Sequence, residues 1–120
     1  MAGAWATFLA NAGITMTDEE MAAMFPAEPD PQAVADERYQ YAHMIRPTTR
    51  FVPDVVALRA VHVLVGLGEA SAGQLCDRTS RALAGELGTE PTMFPGGHVG
   101  FLEEPAAFAE RLRAVLDRRR

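Results

Sequence analysis

The sequence predicts an α/β fold, in which a helical segment over residues 1–50 precedes a β-α-β-α unit with a parallel strand pair over residues 51–120. Three observations carry this. Val61-His62-Val63-Leu64-Val65-Gly66 is a β-branched apolar run of strand length. From Ala72 to Leu87, Leu75, Thr79, Leu83 and Leu87 recur every four residues, and Gly88 stands where a helix C-cap belongs. A second short apolar run, Pro91 to Phe94, then enters a glycine-rich loop, and a last helix opens at Pro105. A helix joining two such strands makes a right-handed crossover and a parallel pair.

Taken in order, the first helix covers residues 1 to about 12, with Trp5, Phe8, Leu9 and Ala12 at helical spacing. Thr17-Asp18-Glu19-Glu20 has the capping-box pattern. The helix it starts carries Met21, Met24 and Phe25 on one side and stops at Pro26. After a proline-rich connector, Asp30 and Pro31 read as N-cap and first residue of a third helix through about Ile45, which Arg46, preceding Pro47, ends. Pro47 to Arg50 is then a loop, and Pro53-Asp54 starts a short helix through Leu58 and Arg59. Gly68 to Ser71 forms a turn after the first strand. The closing helix places Phe108, Leu112, Val115 and Leu116 on one face.

Composition narrows the function classes. A length of 120 residues is one domain's worth, and with 48% apolar residues an ordinary soluble, cytoplasmic chain is expected. The net charge of -5 argues against nucleic acid as a partner, because the basic residues cluster only in Arg118-Arg119-Arg120, read as a solvated helix terminus. A single cysteine, Cys76, makes no internal disulfide and reads as core. No apolar run approaches the roughly 18 residues of a membrane span. No cofactor motif is found, and His43, His62 and His98 lack metal-ligand spacing. Val61 to Val65 is apolar on both faces, as in a sheet covered on both sides, yet two parallel strands do not make an independently stable sheet. Either the helical N-terminal half packs over this pair or more sheet comes from elsewhere, and the second is the favoured expectation.

The chemistry concentrates in Phe94-Pro95-Gly96-Gly97-His98-Val99-Gly100-Phe101, where a glycine-rich turn presents one histidine. A phosphate cradle is excluded here, since Glu103 and Glu104 at the start of the next helix repel an anion. Glu69-Ala70-Ser71-Ala72-Gly73 lies between a strand and a helix, the context of a nucleophile elbow. Glu69, however, stands where the elbow needs a glycine, so Ser71 reads chiefly as a helix N-cap.

From about Tyr41 onward these elements resemble, in order and spacing, the last two strands and helices of the α/β-hydrolase fold, most specifically in the histidine loop. The resemblance implies a partial α/β-hydrolase, with residues 1–50 as its helical lid and Trp5, Phe8, Met21, Met24 and Phe25 as candidates for facing an acyl group. His98 matches the general base of that family's triad. The orienting acid is expected after the strand ending at Gly66, where Glu69 is the nearby carboxylate. One alignment places Ser71 there instead, and in some members the acid follows the preceding strand. No G-x-S-x-G elbow occurs in the chain. The resemblance thus implies serine-type hydrolysis of an ester or similar acyl bond, with the small acyl substrate reached once a complementary N-terminal half supplies the nucleophile. The alternative is a non-catalytic α/β module that associates with itself as a homo-oligomer through an open strand edge.

Overall fold

The structure, a computed structural model, describes residues 2–118, and the side chains of residues 5–118. Met1 and the end of the basic run, Arg119 and Arg120, lie outside the described residues. Helix α1 spans Ala2–Ala12 and α2 spans Asp18–Met24. Both halves of the capping box form at Thr17: its hydroxyl accepts from the Glu20 amide, and the Glu20 carboxylate accepts from the Thr17 amide at 2.8 Å. The Thr17 amide, and the Thr17 hydroxyl donating to the same carboxylate at 3.0 Å, favour its charged form and hold Glu20 below the usual carboxylate range. A lowered folded-state pKa stabilises at pH above the unfolded value, and that contribution is lost as pH falls through the folded value. The α2 amide signals are therefore expected to lose protection on acidification before those of the closing helix do, as amide exchange across a pH series would show. Equal loss in both helices would contradict it.

Helix α3 covers Pro31–Tyr39, with the Asp30 carboxylate accepting from the Gln32 amide. The chain does not leave the helix at Arg46 as expected. A π turn, Gln40–Met44, leads into α4, Ile45–Thr49, which carries Pro47 within it. Widening the turn just ahead of the proline moves the ladder to an i−5 pairing, with the Ile45 amide donating to the Gln40 carbonyl, so the ring enters a helix already out of α register. The Thr48 and Thr49 hydroxyls then donate to the Met44 and Ile45 carbonyls, the latter at 2.6 Å for Thr49. In this helical half Trp5 stands against the rings of Phe8, Phe25 and Tyr41, with centroids 5.5, 6.1 and 5.8 Å away. Its indole N–H donates to Glu37 Oε1 at 2.6 Å. The hydroxyl of Tyr41 is buried without a partner among the described residues, and burial together with the Glu37 charge pushes its pKa up.

Helix α5, Val55–Arg59, starts at Asp54, whose carboxylate accepts from the Ala57 amide. Strand β1 is Gly66–Gly68 and strand β2 is Thr92–Phe94; they pair in parallel, Gly66 beside Thr92 and Gly68 beside Phe94. The expected strand over residues 61–66 is thus displaced downstream, and only Gly66 and the carbonyl of Val65, which accepts from the Thr92 amide, join the ladder. The partner sets the limit. Helix α6, Leu75–Leu87, ends in a left-handed cap at Gly88 (φ +71°), and Pro91, with no N–H, leaves only Thr92 to Phe94 to pair. Arg59 donates its Nε to the Glu86 carbonyl at 3.0 Å, which ties α5 to the negative end of α6. A one-turn helix, α7 (Gly100–Glu103), and α8 (Pro105–Asp117) close the chain.

The apolar core is small. Val65, Leu67, Ala84 and Val115 are buried, whereas Phe51 is 75% exposed, Val52 82% and Leu102 70%. The radius of gyration is 17.1 Å, against about 14 Å for a compact domain of this length. These values describe a loosely packed fold with apolar side chains left uncovered. No helix of the described residues is long and apolar enough to cross a membrane.

Candidate functional site

Because the strands are parallel and in register, Gly68 and Phe94 end side by side and the two segments that follow them meet. After β1 comes a 3-10 turn, Glu69–Ser71, and after β2 comes the loop Pro95 to Val99. The Ala70 amide donates to the Gly96 carbonyl at 3.0 Å, which docks the first onto the second. This is the carboxyl end of the strands, where open α/β sheets place their ligand sites.

Two glycines shape the loop that presents His98. Gly96 has φ +79°, and an added Cβ there would lie 2.6 Å from the Gly100 Cα. Gly100 is packed against the Pro95 carbonyl, so the loop folds back on itself. The Gly97 amide donates to Glu103 Oε2 at 2.5 Å, so a carboxylate of the chain itself occupies the amide that a phosphate cradle would use. Glu103, expected at the start of the next helix, instead ends the short helical turn before it and braces the loop; its only trace in the sequence is a carboxylate six residues beyond Gly97. The imidazole of His98 stands exposed at the tip and has no hydrogen-bond partner among the described residues.

Beneath the loop lies an open cavity of about 440 Å³, reached by His98, Ser71, Cys76, Phe94, Phe108 and Leu112 among others. One part of its wall is aromatic: Phe94 and Phe108 lie tilted against each other at 5.1 Å, and Phe101 meets Phe108 edge-on at 6.2 Å. Of the α8 positions expected on one face, Phe108 and Leu112 line this cavity, whereas Val115 is buried nearer the other end of the strands and Leu116 is exposed. None of Trp5, Phe8, Met21, Met24 and Phe25 lines the cavity.

Glu69 lies exposed in the 3-10 turn, and no hydrogen bond joins it to His98. Ser71 does not act as the helix N-cap the sequence suggests. Helix α6 starts at Leu75, with Gln74, three residues beyond Ser71, as its N-cap. Between them Gly73, at φ +80°, turns the chain, and its amide donates to Asp77 Oδ2 at 2.9 Å. That bond and the Arg81 guanidinium at 2.7 Å hold Asp77 below the usual carboxylate range. Ser71 itself is 1% exposed, and its hydroxyl has no partner among the described residues. The structure therefore brings His98 and Ser71 to one cavity without a hydrogen bond between them, and leaves Glu69 outside. An unsatisfied buried hydroxyl is destabilising, so Ser71→Ala is expected to raise stability by about 1 kcal/mol in urea denaturation. A loss of stability would show that the hydroxyl is paired.

A lone imidazole at a strand end is able to take and return a proton, and becomes a triad base only with a nucleophile at one nitrogen and an acceptor at the other. The cavity beside it is apolar enough for an acyl chain or a ring. No protein-family model matches this chain, and no curated protein sequence matches it significantly.

Proposed function

We propose that the chain is the C-terminal portion of an α/β-hydrolase and supplies the histidine base for serine-type hydrolysis of a carboxylic ester or similar acyl bond. The observation that carries this reading is the docking of the His98 loop beside the Glu69 turn, at the carboxyl ends of a parallel strand pair and over an apolar cavity. A serine on a completing segment with a G-x-S-x-G elbow attacks the acyl carbon while one nitrogen of His98 takes its proton. The same nitrogen gives the proton to the leaving alkoxide; it then takes one from water as the water oxygen attacks the acyl-enzyme, and passes it to the serine oxygen as the serine–acyl bond breaks and the acid leaves. Glu69, or a carboxylate of the completing segment, accepts from the other nitrogen. A sheet of only two strands and the exposed Phe51, Val52 and Leu102 favour such a completing segment.

The test is co-expression of the full chain with the N-terminal half of an α/β-hydrolase that carries the elbow and is inert alone. Appearance of p-nitrophenyl butyrate hydrolysis, with the two polypeptides co-purifying, supports the reading. The same exposed apolar residues favour a second reading, a non-catalytic module that covers them with a second copy. A stable homodimer that neither joins the N-terminal half nor gains activity would establish that reading and exclude the first.

A further inference from the structure

At the amino end of the strand pair, away from His98, a second cavity of about 290 Å³ opens between the segment before β1 and the second half of α8. Its lining is His62, Leu64, Thr92, Arg111, Val115 and Arg118, with no carboxylate among them. Arg111 is half-buried and donates its Nε to the Met93 carbonyl at 2.9 Å. This bond fixes the guanidinium against the strand and leaves its two terminal nitrogens without a partner among the described residues. Neither Arg111 nor Arg118 has an ion-pair partner among those residues; the ion pair present there joins Arg81 and Asp77. Two guanidinium groups on one small cavity repel each other, and an anion between them relieves that repulsion. The guanidinium fork suits a carboxylate or phosphate group in particular. The floor is different in kind: Leu64, and Val115 at 7% exposure, are apolar.

We propose that this cavity binds a small organic anion. Arg111 and Arg118 hold its oxyanion head, a carboxylate or a phosphate; His62 and Thr92 add hydrogen bonds; and a short apolar portion lies on Leu64 and Val115. The volume sits at the small end of ligand cavities, which matches a compact ligand. The site stands at the opposite end of the strands from His98, so it holds whether or not the chain belongs to a hydrolase.

The full chain is titrated at low salt with butyl phosphate, butyrate and inorganic phosphate, followed by backbone amide shifts. Saturable shifts are expected at Leu64, Thr92, Arg111 and Val115, with at least one organic probe binding several-fold more tightly than inorganic phosphate. Whichever of butyl phosphate and butyrate binds more tightly identifies the head group. Arg118 is exposed and makes no hydrogen bond that holds the fold, so Arg118→Gln is expected to fold normally and to weaken the organic probe about tenfold, the value of one charge-assisted contact. Leu64→Ser is expected to weaken the organic probes and leave inorganic phosphate unchanged. Shifts that do not saturate at these residues, equal affinity in Arg118→Gln, or equal affinity for all three probes would overturn the proposal.

Discussion

Gly68→Ala is expected to destabilise the chain by about 2–3 kcal/mol and to move the His98 loop off the strand ends. The backbone at Gly68, φ −73° and ψ 133°, suits any residue, so the cost is one of space alone. A Cβ there would lie 2.7 Å from the Gly96 carbonyl oxygen and 2.8 Å from the Gly97 carbonyl carbon, and closer still to the Gly97 oxygen. All three are backbone atoms, so relief requires displacement of the loop. Displacement breaks the 3.0 Å bond from the Ala70 amide to Gly96 and disturbs the last pairing of the ladder, Gly68 beside Phe94. Gly85 provides the control of opposite sign. It lies inside α6 with nothing within 4 Å of its added Cβ, so Gly85→Ala is expected to stabilise by about 0.5–1 kcal/mol. Urea denaturation measures both, and amide shifts at Gly97 and His98 follow the loop. A Gly68→Ala protein as stable as the parent, with those shifts unmoved, would refute the close packing of strand and loop.

The contrast between these two glycines also marks what the sequence reveals. Features set by residues a few positions apart were legible: the Thr17 and Glu20 capping box, the Asp30 N-cap, the short helix starting at Pro53-Asp54, the Gly88 C-cap and the start of α8 at Pro105. Each is a local bond between a side chain and a nearby backbone group, or a backbone angle only one residue type prefers. Features set by a distant segment were not. The run Val61 to Val65 has every mark of a strand, but pairing depends on how many residues β2 offers, and Gly88 and Pro91 shorten it to three. Pro47 ends a helix by rule, and here the preceding π turn and two threonine hydroxyls carry the helix past it. At the site, the His98 loop was visible as glycines around a histidine. The Glu103 brace and the aromatic wall arise only when α7 and α8 fold back on β2, where Arg111 Nε holds the Met93 carbonyl.

In the reconstituted pair, His98→Gln is expected to lower kcat for ester hydrolysis by about 10⁴-fold or more, the size of effect found when a triad loses its base. Glutamine keeps a side chain of similar reach and hydrogen-bonding capacity but cannot hold a proton in transit. The residue is exposed and makes no contact that holds the loop, whose shape rests on Gly96, Gly100 and Glu103, so stability should change by no more than about 0.5 kcal/mol. Binding and chemistry then separate: KM stays near the parent value, because the acyl chain is expected to lie against Phe94, Phe108 and Leu112, while kcat falls. His98→Ala adds a second readout. It leaves a space at the mouth of the cavity, and free imidazole diffusing into that space should recover part of the lost rate in His98→Ala and none in His98→Gln. A role limited to loop shape would give neither the kcat loss at constant stability nor the imidazole rescue. If both variants hydrolyse the ester at the parent rate, the base lies elsewhere and the hydrolase reading of this loop fails.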